Sequence, residues 1–254
     1  MERRLSGWAL DLDGVIWRGT ETVPGSPEAV QRLRDAGVPL AFVTNSALRT
    51  PAQVAAKLAS HGIPDAQDEV ITAAMAAATL VEPGERVLAV GADGVRGALD
   101  EAGVEIVDHG PADAVVVGLD PSFDYETLTR AMQAVAGGAR FIATNTDSTF
   151  PTADGLVPGN GALVAAVATA TDQIPEIAGK PHDPIGALVR DRLGSDGLMV
   201  GDRADTDGLF ARAVGYRFGL VLSGVVTAAD LPVEPAPDHT ADDLATMVTS
   251  VLDG

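Results

Sequence analysis

Short apolar runs alternate along this chain with longer stretches in which apolar residues recur at helical spacing. The first run, Trp8-Ala9-Leu10, ends in Asp11-Leu12-Asp13-Gly14, two aspartates separated by one residue and followed by a glycine. Residues i and i+2 of an extended strand project to the same side, so the two carboxylates are predicted to emerge together where the strand turns. Residues 15–25 read as a loop, and Ser26-Pro27-Glu28 as a helix start with apolar residues at 29, 30, 33 and 36 before Gly37. Pro39 to Val43 is a buried strand closing in Thr44-Asn45-Ser46, and Thr50-Pro51 opens a helix that runs to His61-Gly62. This β-α-β-α order is the grammar of a parallel sheet covered by helices.

The pattern then predicts an alanine-rich helix from Ile71 to Val81, broken at Pro83-Gly84. Strands follow at 86–90, 104–107, 114–118 and 140–143, with helices at 93–102 and 124–136. Residues 146–161 read as irregular, and a helix of small residues covers 160–171. After Gly179-Lys180-Pro181 come a helix at 184–193 and a strand at 198–200 ending in Gly201-Asp202. A helix at 205–214, a strand at 217–222, a proline-containing loop at 231–238 and a helix at 240–252 complete the chain. The fold class predicted is α/β.

Composition narrows the function. Of 254 residues, 46% are hydrophobic but only 4% aromatic, so the core is built mainly of Ala, Val and Leu. A formal charge of −19 argues against nucleic acid and against an anionic membrane surface as partners. The absence of cysteine excludes disulfides, thiolate metal sites and thiol nucleophiles. No apolar stretch approaches the roughly 20 residues of a membrane span. Arg3-Arg4 leads almost directly into the first strand, which leaves no room for a signal peptide, and a cytoplasmic protein is expected.

Lysine occurs only as Lys57 and Lys180. In an open α/β sheet the ligand crevice lies outside the carboxyl ends of the strands. Asp11, Asp13, Thr44-Asn45-Ser46, Lys180 and Asp202, with Asp205 and Asp207 nearby, sit at such ends or at loop starts. Carboxylates gathered there repel one another unless a cation joins them or one holds a proton. Hard oxygen donors, with no cysteine and no histidine pair at ligand spacing, suit Mg²⁺. An ionised carboxylate can attack phosphorus once the phosphoryl charge is neutralised, with Thr44 and the amides after it holding the remaining oxygens.

Asp-Leu-Asp-Gly-Val-Ile at 11–16, Thr-Asn at 44–45, Gly-Lys-Pro at 179–181 and Gly-Asp-Arg-Ala-Asp-Thr-Asp at 201–207 stand in the order of the motifs of the haloacid dehalogenase (HAD) superfamily, which the chain resembles over nearly its whole length. More narrowly it resembles the subclass IIA phosphatases, of the para-nitrophenylphosphatase and phosphoglycolate phosphatase type. The resemblance extends to Thr144-Asn145-Thr146-Asp147, Pro158-Gly159 and Leu222-Ser223-Gly224-Val225. It implies a Rossmann-like core at 1–79 and 180–254 with an inserted α/β cap at 80–179 that opens and closes over a small phosphorylated metabolite. It also implies Asp11 as nucleophile and Asp13 as general acid and base. Asp11, the backbone carbonyl of Asp13 and Asp202 would hold Mg²⁺, with Asp207 behind them, while Thr44, Asn45, Ser46 and Lys180 would bind phosphate. A homodimer through the cap is consistent with the same resemblance. Asp13 favours phosphoryl transfer over dehalogenation, which needs no acid at that position.

Ser46 and Leu48 depart from the family pattern, which has Asn and a small polar residue there, so altered specificity is expected. Those departures motivate a second reading, a HAD-fold protein that binds a phosphorylated metabolite with weakened turnover. A third reading, a nicotinamide protein using Gly91, Gly94 and Gly97, has the wrong glycine spacing for a dinucleotide fingerprint. His61, His109 and His239 read as inert, His182 as a surface residue, a local hydrogen-bond partner or a substrate contact, and Lys57 as a solvated charge. Trp17 reads as packing, Arg18 as a group able to steer an anion, and Asp147 as either a site residue or an Asx-turn.

Overall fold

The computed structural model describes residues 7–152 and 155–253, so Arg3-Arg4 lies outside the described residues. The chain divides into two compact units, the first made of 1–44, 54–71 and 180–254, the second of 45–53 and 72–179.

From the N-terminus, β1 (Gly7–Leu10) leads into a tight turn and a small antiparallel pair, β2 (Trp17–Arg18) and β3 (Glu21–Thr22), where the sequence predicts only loop. Helix α1 (Ser26–Asp35) starts with proline in its first turn, as expected, and buries Ala29, Val30 and Leu33. Strand β4 (Leu40–Thr44) and helix α2 (Pro51–Ser60) follow. Residues 70–72 form β5 (Val70–Thr72), and the helix expected from Ile71 is shortened to α3 (Ala73–Ala78). The reason lies in Thr72: its hydroxyl accepts from the Met75 amide and caps the helix, while Val70 and Ile71 are β-branched and fully buried.

The second unit then builds β6 (Arg86–Val90), α4 (Asp93–Glu101), β7 (Glu105–Val107), β8 (Ala114–Val117), α5 (Tyr125–Ala136) and β9 (Arg140–Ala143). The irregular stretch predicted after β9 contains an antiparallel hairpin, β10 (Thr149–Thr152) with β11 (Gly155–Pro158), then α6 (Asn160–Thr171) and β12 (Glu176–Ile177). Its sheet runs β12-β9-β8-β6-β7, with every pair parallel. A side chain at Gly94 would collide with the Ala47 and Arg49 carbonyls, and the Gly94 amide donates to the Leu48 carbonyl. The glycine run therefore serves close packing of α4 on that loop, in place of a dinucleotide.

The chain returns to the first unit with α7 (Asp183–Leu193), β13 (Gly197–Gly201), a π-turn at 204–208, α8 (Leu209–Val214) and β14 (Arg217–Val221). Residues 239–241 add an edge strand, β15 (His239–Ala241), and the last helix is α9 (Leu244–Leu252), capped by the Asp243 carboxylate. The earlier start expected for this helix fails because Asp243 takes the N-cap and His239 to Ala241 pair in parallel with β14. The six-stranded order is β15-β14-β13-β1-β4-β5. Trp8, Leu10, Phe42, Leu198 and Val200 pack its interior, each fully buried large side chain contributing about 1.5–3 kcal/mol. The strand order reverses on either side of β1, so β1 ends at the crevice that such sheets use for ligands.

Candidate active site

Asp11 follows β1 directly, and its amide donates to the Val200 carbonyl of β13, which fixes the turn against the neighbouring strand. Lys180 reaches the same place from the start of the segment before α7. Its ammonium donates to Asp11 Oδ1 at 2.7 Å, to Asp207 Oδ1 at 2.7 Å and to the Val43 carbonyl at 3.0 Å. Only 3% of its side chain is exposed. Asp207 sits in the π-turn after β13, 1% exposed, with its other oxygen accepting from the Arg203 amide. Asp202, at the end of β13, accepts from the Val225 amide at 2.6 Å.

Two glycines make room for Asp202. Gly14 has φ +82°, and a side chain on it would strike the Asp202 carboxylate, as would one on Gly224. Only glycine meets both demands at position 14. The Ser223 hydroxyl donates to the Gly14 carbonyl at 2.7 Å, tying the two loops together.

One carboxylate oxygen each from Asp11, Asp202 and Asp207 lies within 4.8 Å of the others. Burial pushes the Asp11 carboxyl well above its usual range. Lys180 pulls it back, while Asp207, Asp202 and Asp13 push it further up. Asp202 is pushed up to about 7, first by burial and then by Asp207. Burial alone would lower the Lys180 ammonium, but Asp11 and Asp207 outweigh it and hold the charge firmly in place. Three carboxylates against one ammonium leave an excess of negative charge in a space with little water, and a hard divalent cation fits that donor set. Asp205, by contrast, turns outward and pairs with Arg203 at 2.8 Å.

Of the residues expected from sequence, Asp11, Lys180 and Asp202 come together, and Asp207 joins them with its own carboxylate in the cluster. The Asp13 carboxylate stands outside this cluster and accepts from the Trp17 indole N–H at 2.9 Å. Thr44 is buried at the end of β4. Asn45 and Ser46 belong to the second unit, where the Asn45 amide donates to the Asp147 carboxylate at 3.2 Å and its carbonyl accepts from Asn145. Asp147 is also the amide donor of an Asx-turn onto Asn145. Lys57 is not the solvated charge expected, and His61 joins it against Trp17. Lys57 Nζ lies 3.8 Å above the Trp17 ring, and His61 stacks on the same ring at 5.0 Å. His182 is exposed at the N-cap of α7.

The motif order now has independent support. A family model described as haloacid dehalogenase-like hydrolase matches residues 8–105, and a second, HAD-hydrolase-like model matches 177–247. The 5'-nucleotidase YutF of Bacillus subtilis is 39% identical over 94% of this chain and 95% of its own length. The chain belongs to the haloacid dehalogenase superfamily. Within that superfamily it is a phosphomonoester hydrolase of the subclass IIA type. The acid sugar phosphatase of Staphylococcus haemolyticus is 35% identical over 98% of this chain and 97% of its own. Among solved structures, the p-nitrophenyl phosphatase of Archaeoglobus fulgidus superposes with a TM-score of 0.91 at 33% identity, covering 98% of this chain and all of that one. The glycerol phosphate phosphatase of Mycobacterium tuberculosis, solved with magnesium, gives 0.90 at 35% identity, covering 96% of this chain and 76% of the other. The same enzyme was also solved with calcium, so a divalent metal accords with the acidic cluster found in this HAD phosphatase.

Proposed function

We propose that this HAD phosphatase hydrolyses a small phosphomonoester in two steps through an aspartyl phosphate on Asp11, with Mg²⁺ as its metal. The observation that carries the reading is the buried grouping of Asp11, Asp202 and Asp207 about Lys180 at the carboxyl edge of the sheet. Asp11, the Asp13 carbonyl and Asp202 would hold the metal, with Asp207 orienting the set. When bound, Mg²⁺ supplies positive charge that offsets the carboxylates and the phosphoryl oxygens.

In the first step an Asp11 oxygen attacks phosphorus while the bond to the leaving alcohol breaks, and Asp13 gives that oxygen its proton. In the second, Asp13, now a carboxylate, takes a proton from a water that attacks the aspartyl phosphate, releasing phosphate and restoring Asp11. Lys180 holds a phosphoryl oxygen, and Thr44 holds another with the backbone amides that follow it at Asn45 and Ser46. The Asn45 side chain is committed to Asp147, so its part here is through the main chain. Residues 80–179 act as the cap that admits substrate and excludes water.

The names of the relatives point to nucleotides, acid sugar phosphates, glycerol phosphate and para-nitrophenyl phosphate as the range to screen. Release of phosphate from para-nitrophenyl phosphate that requires Mg²⁺, and vanishes in Asp11→Asn, is the expected result. Turnover that survives Asp11→Asn would refute the reading.

A further inference from the structure

Trp17 lies 3% exposed at the start of the β2–β3 pair, six residues after Asp11, and its indole N–H is aimed at Asp13 Oδ1. Among the described residues it is the one side chain hydrogen-bonded to Asp13. The main chain draws the two together as well. Asp13 and Trp17 form an isolated bridge, and the Gly14 amide donates to the Trp17 carbonyl at 2.7 Å.

The ring itself is held from several sides. The Lys57 ammonium sits 3.8 Å from its centroid and donates to the Gly19 carbonyl at 3.3 Å. His61 stacks on it at an interplanar angle of 30°, and His61 Nδ1 is 2.7 Å from the Thr22 hydroxyl. Thr22 is in turn the cross-strand partner of Trp17. A cation over an indole draws electron density from the ring and strengthens the N–H as a donor.

We infer that Trp17 is a positioning residue for Asp13: its N–H fixes one carboxylate oxygen, so the other is presented to the leaving alcohol and then to water, and Lys57 and His61 hold the indole in register. The inference rests on the acid/base role of Asp13 proposed above. A carboxylic acid must lie within hydrogen-bond reach of the atom it protonates, and a free carboxylate at a turn samples many rotamers. The indole removes that freedom without taking part in proton transfer.

The test is the dependence of kcat/KM on leaving-group basicity across substituted phenyl phosphates, from para-nitrophenyl to phenyl, with Mg²⁺ present. A poor leaving group needs its proton more, so Asp13→Asn is expected to lose far more rate on phenyl than on para-nitrophenyl phosphate. Trp17→Phe, which keeps an aromatic ring and removes the N–H, is expected to lose about 10-fold more on phenyl phosphate than on the nitrophenyl ester. In the Asp13→Asn background it should cost nothing further on phenyl phosphate, because a residue acting through Asp13 has nothing left to position. Equal losses on all esters, or a full additional loss in the double variant, would overturn the inference. A flat response in Asp13→Asn itself would overturn the role of Asp13 and the inference with it. Lys57→Met, which removes the ammonium and leaves the indole, should steepen the same dependence by a smaller factor. If Trp17→Phe fails to fold, that variant decides the matter, and an unchanged slope counts against the inference.

Discussion

Asp202→Asn should make the metal-free protein more stable above neutral pH, an unusual outcome for a substitution in an active site. In the fold the Asp202 carboxyl titrates at about 7, against an ordinary value of 3.8. Between those values the folded chain keeps a proton that the unfolded chain has lost, so stability falls as pH rises from about 4 to about 7 and stays low beyond. At roughly 1.36 kcal/mol per pH unit, the ceiling on the cost at alkaline pH is on the order of 4 kcal/mol. Asparagine has the same shape, still accepts from the Val225 amide, and carries no charge to desolvate. The difference between wild type and variant cancels the contributions of carboxyls outside the group of Asp11, Asp202 and Asp207. In urea denaturation with EDTA the two proteins should be nearly matched near pH 4, and the variant should lead by about 1–4 kcal/mol near pH 8. Added Mg²⁺ should reverse the order, because only wild type retains the full donor set. A variant that is less stable than wild type in EDTA near pH 8, or that gains as much from Mg²⁺, would refute the reasoning.

Lys180→Met leaves Asp11 and Asp207 buried without their shared partner, and removing one member of such a pair costs about 3–5 kcal/mol. Its melting temperature in EDTA should fall, part of the loss should return with Mg²⁺, and phosphatase turnover should be abolished. Gly224→Ala puts a methyl group into the Asp202 carboxylate, so its Mg²⁺ affinity by calorimetry should fall at least about 10-fold with a smaller change in melting temperature. An unchanged affinity would mean that the Asp202 loop moves freely.

How much of this was legible in the residues themselves varies by element. Helices α1, α2 and α7 announce themselves by proline in the first turn and apolar spacing, and β4, β6, β8 and β9 by short apolar runs. The strand at Val70–Thr72 was hidden because a run of alanines follows without a break, and alanine favours helix whatever precedes it. The pairing of Thr149–Thr152 with Gly155–Pro158 was masked by two prolines, which a hairpin edge tolerates where a central strand does not. Asp11, Lys180 and Asp202 could be found because each closes a strand or a motif of fixed spacing. Asp207 was expected behind the metal ligands from its motif spacing, and the π-turn at 204–208 brings it onto Lys180. Trp17, Lys57 and His61 gave no local signal of their alliance. A cation, an indole and an imidazole spread over residues 17 to 61 meet only once β2, β3 and α2 are in place.

In the proposed mechanism an Asp11 oxygen is the nucleophile that takes the phosphoryl group. Mixing enzyme with excess para-nitrophenyl phosphate and Mg²⁺, quenching in acid within a turnover and weighing the peptides reads this directly. The peptide that contains Asp11 should gain the mass of one phosphoryl group, and Asp11→Asn should show none. A turnover burst with no phosphorylated peptide, or a phosphoryl group on another residue, would contradict it.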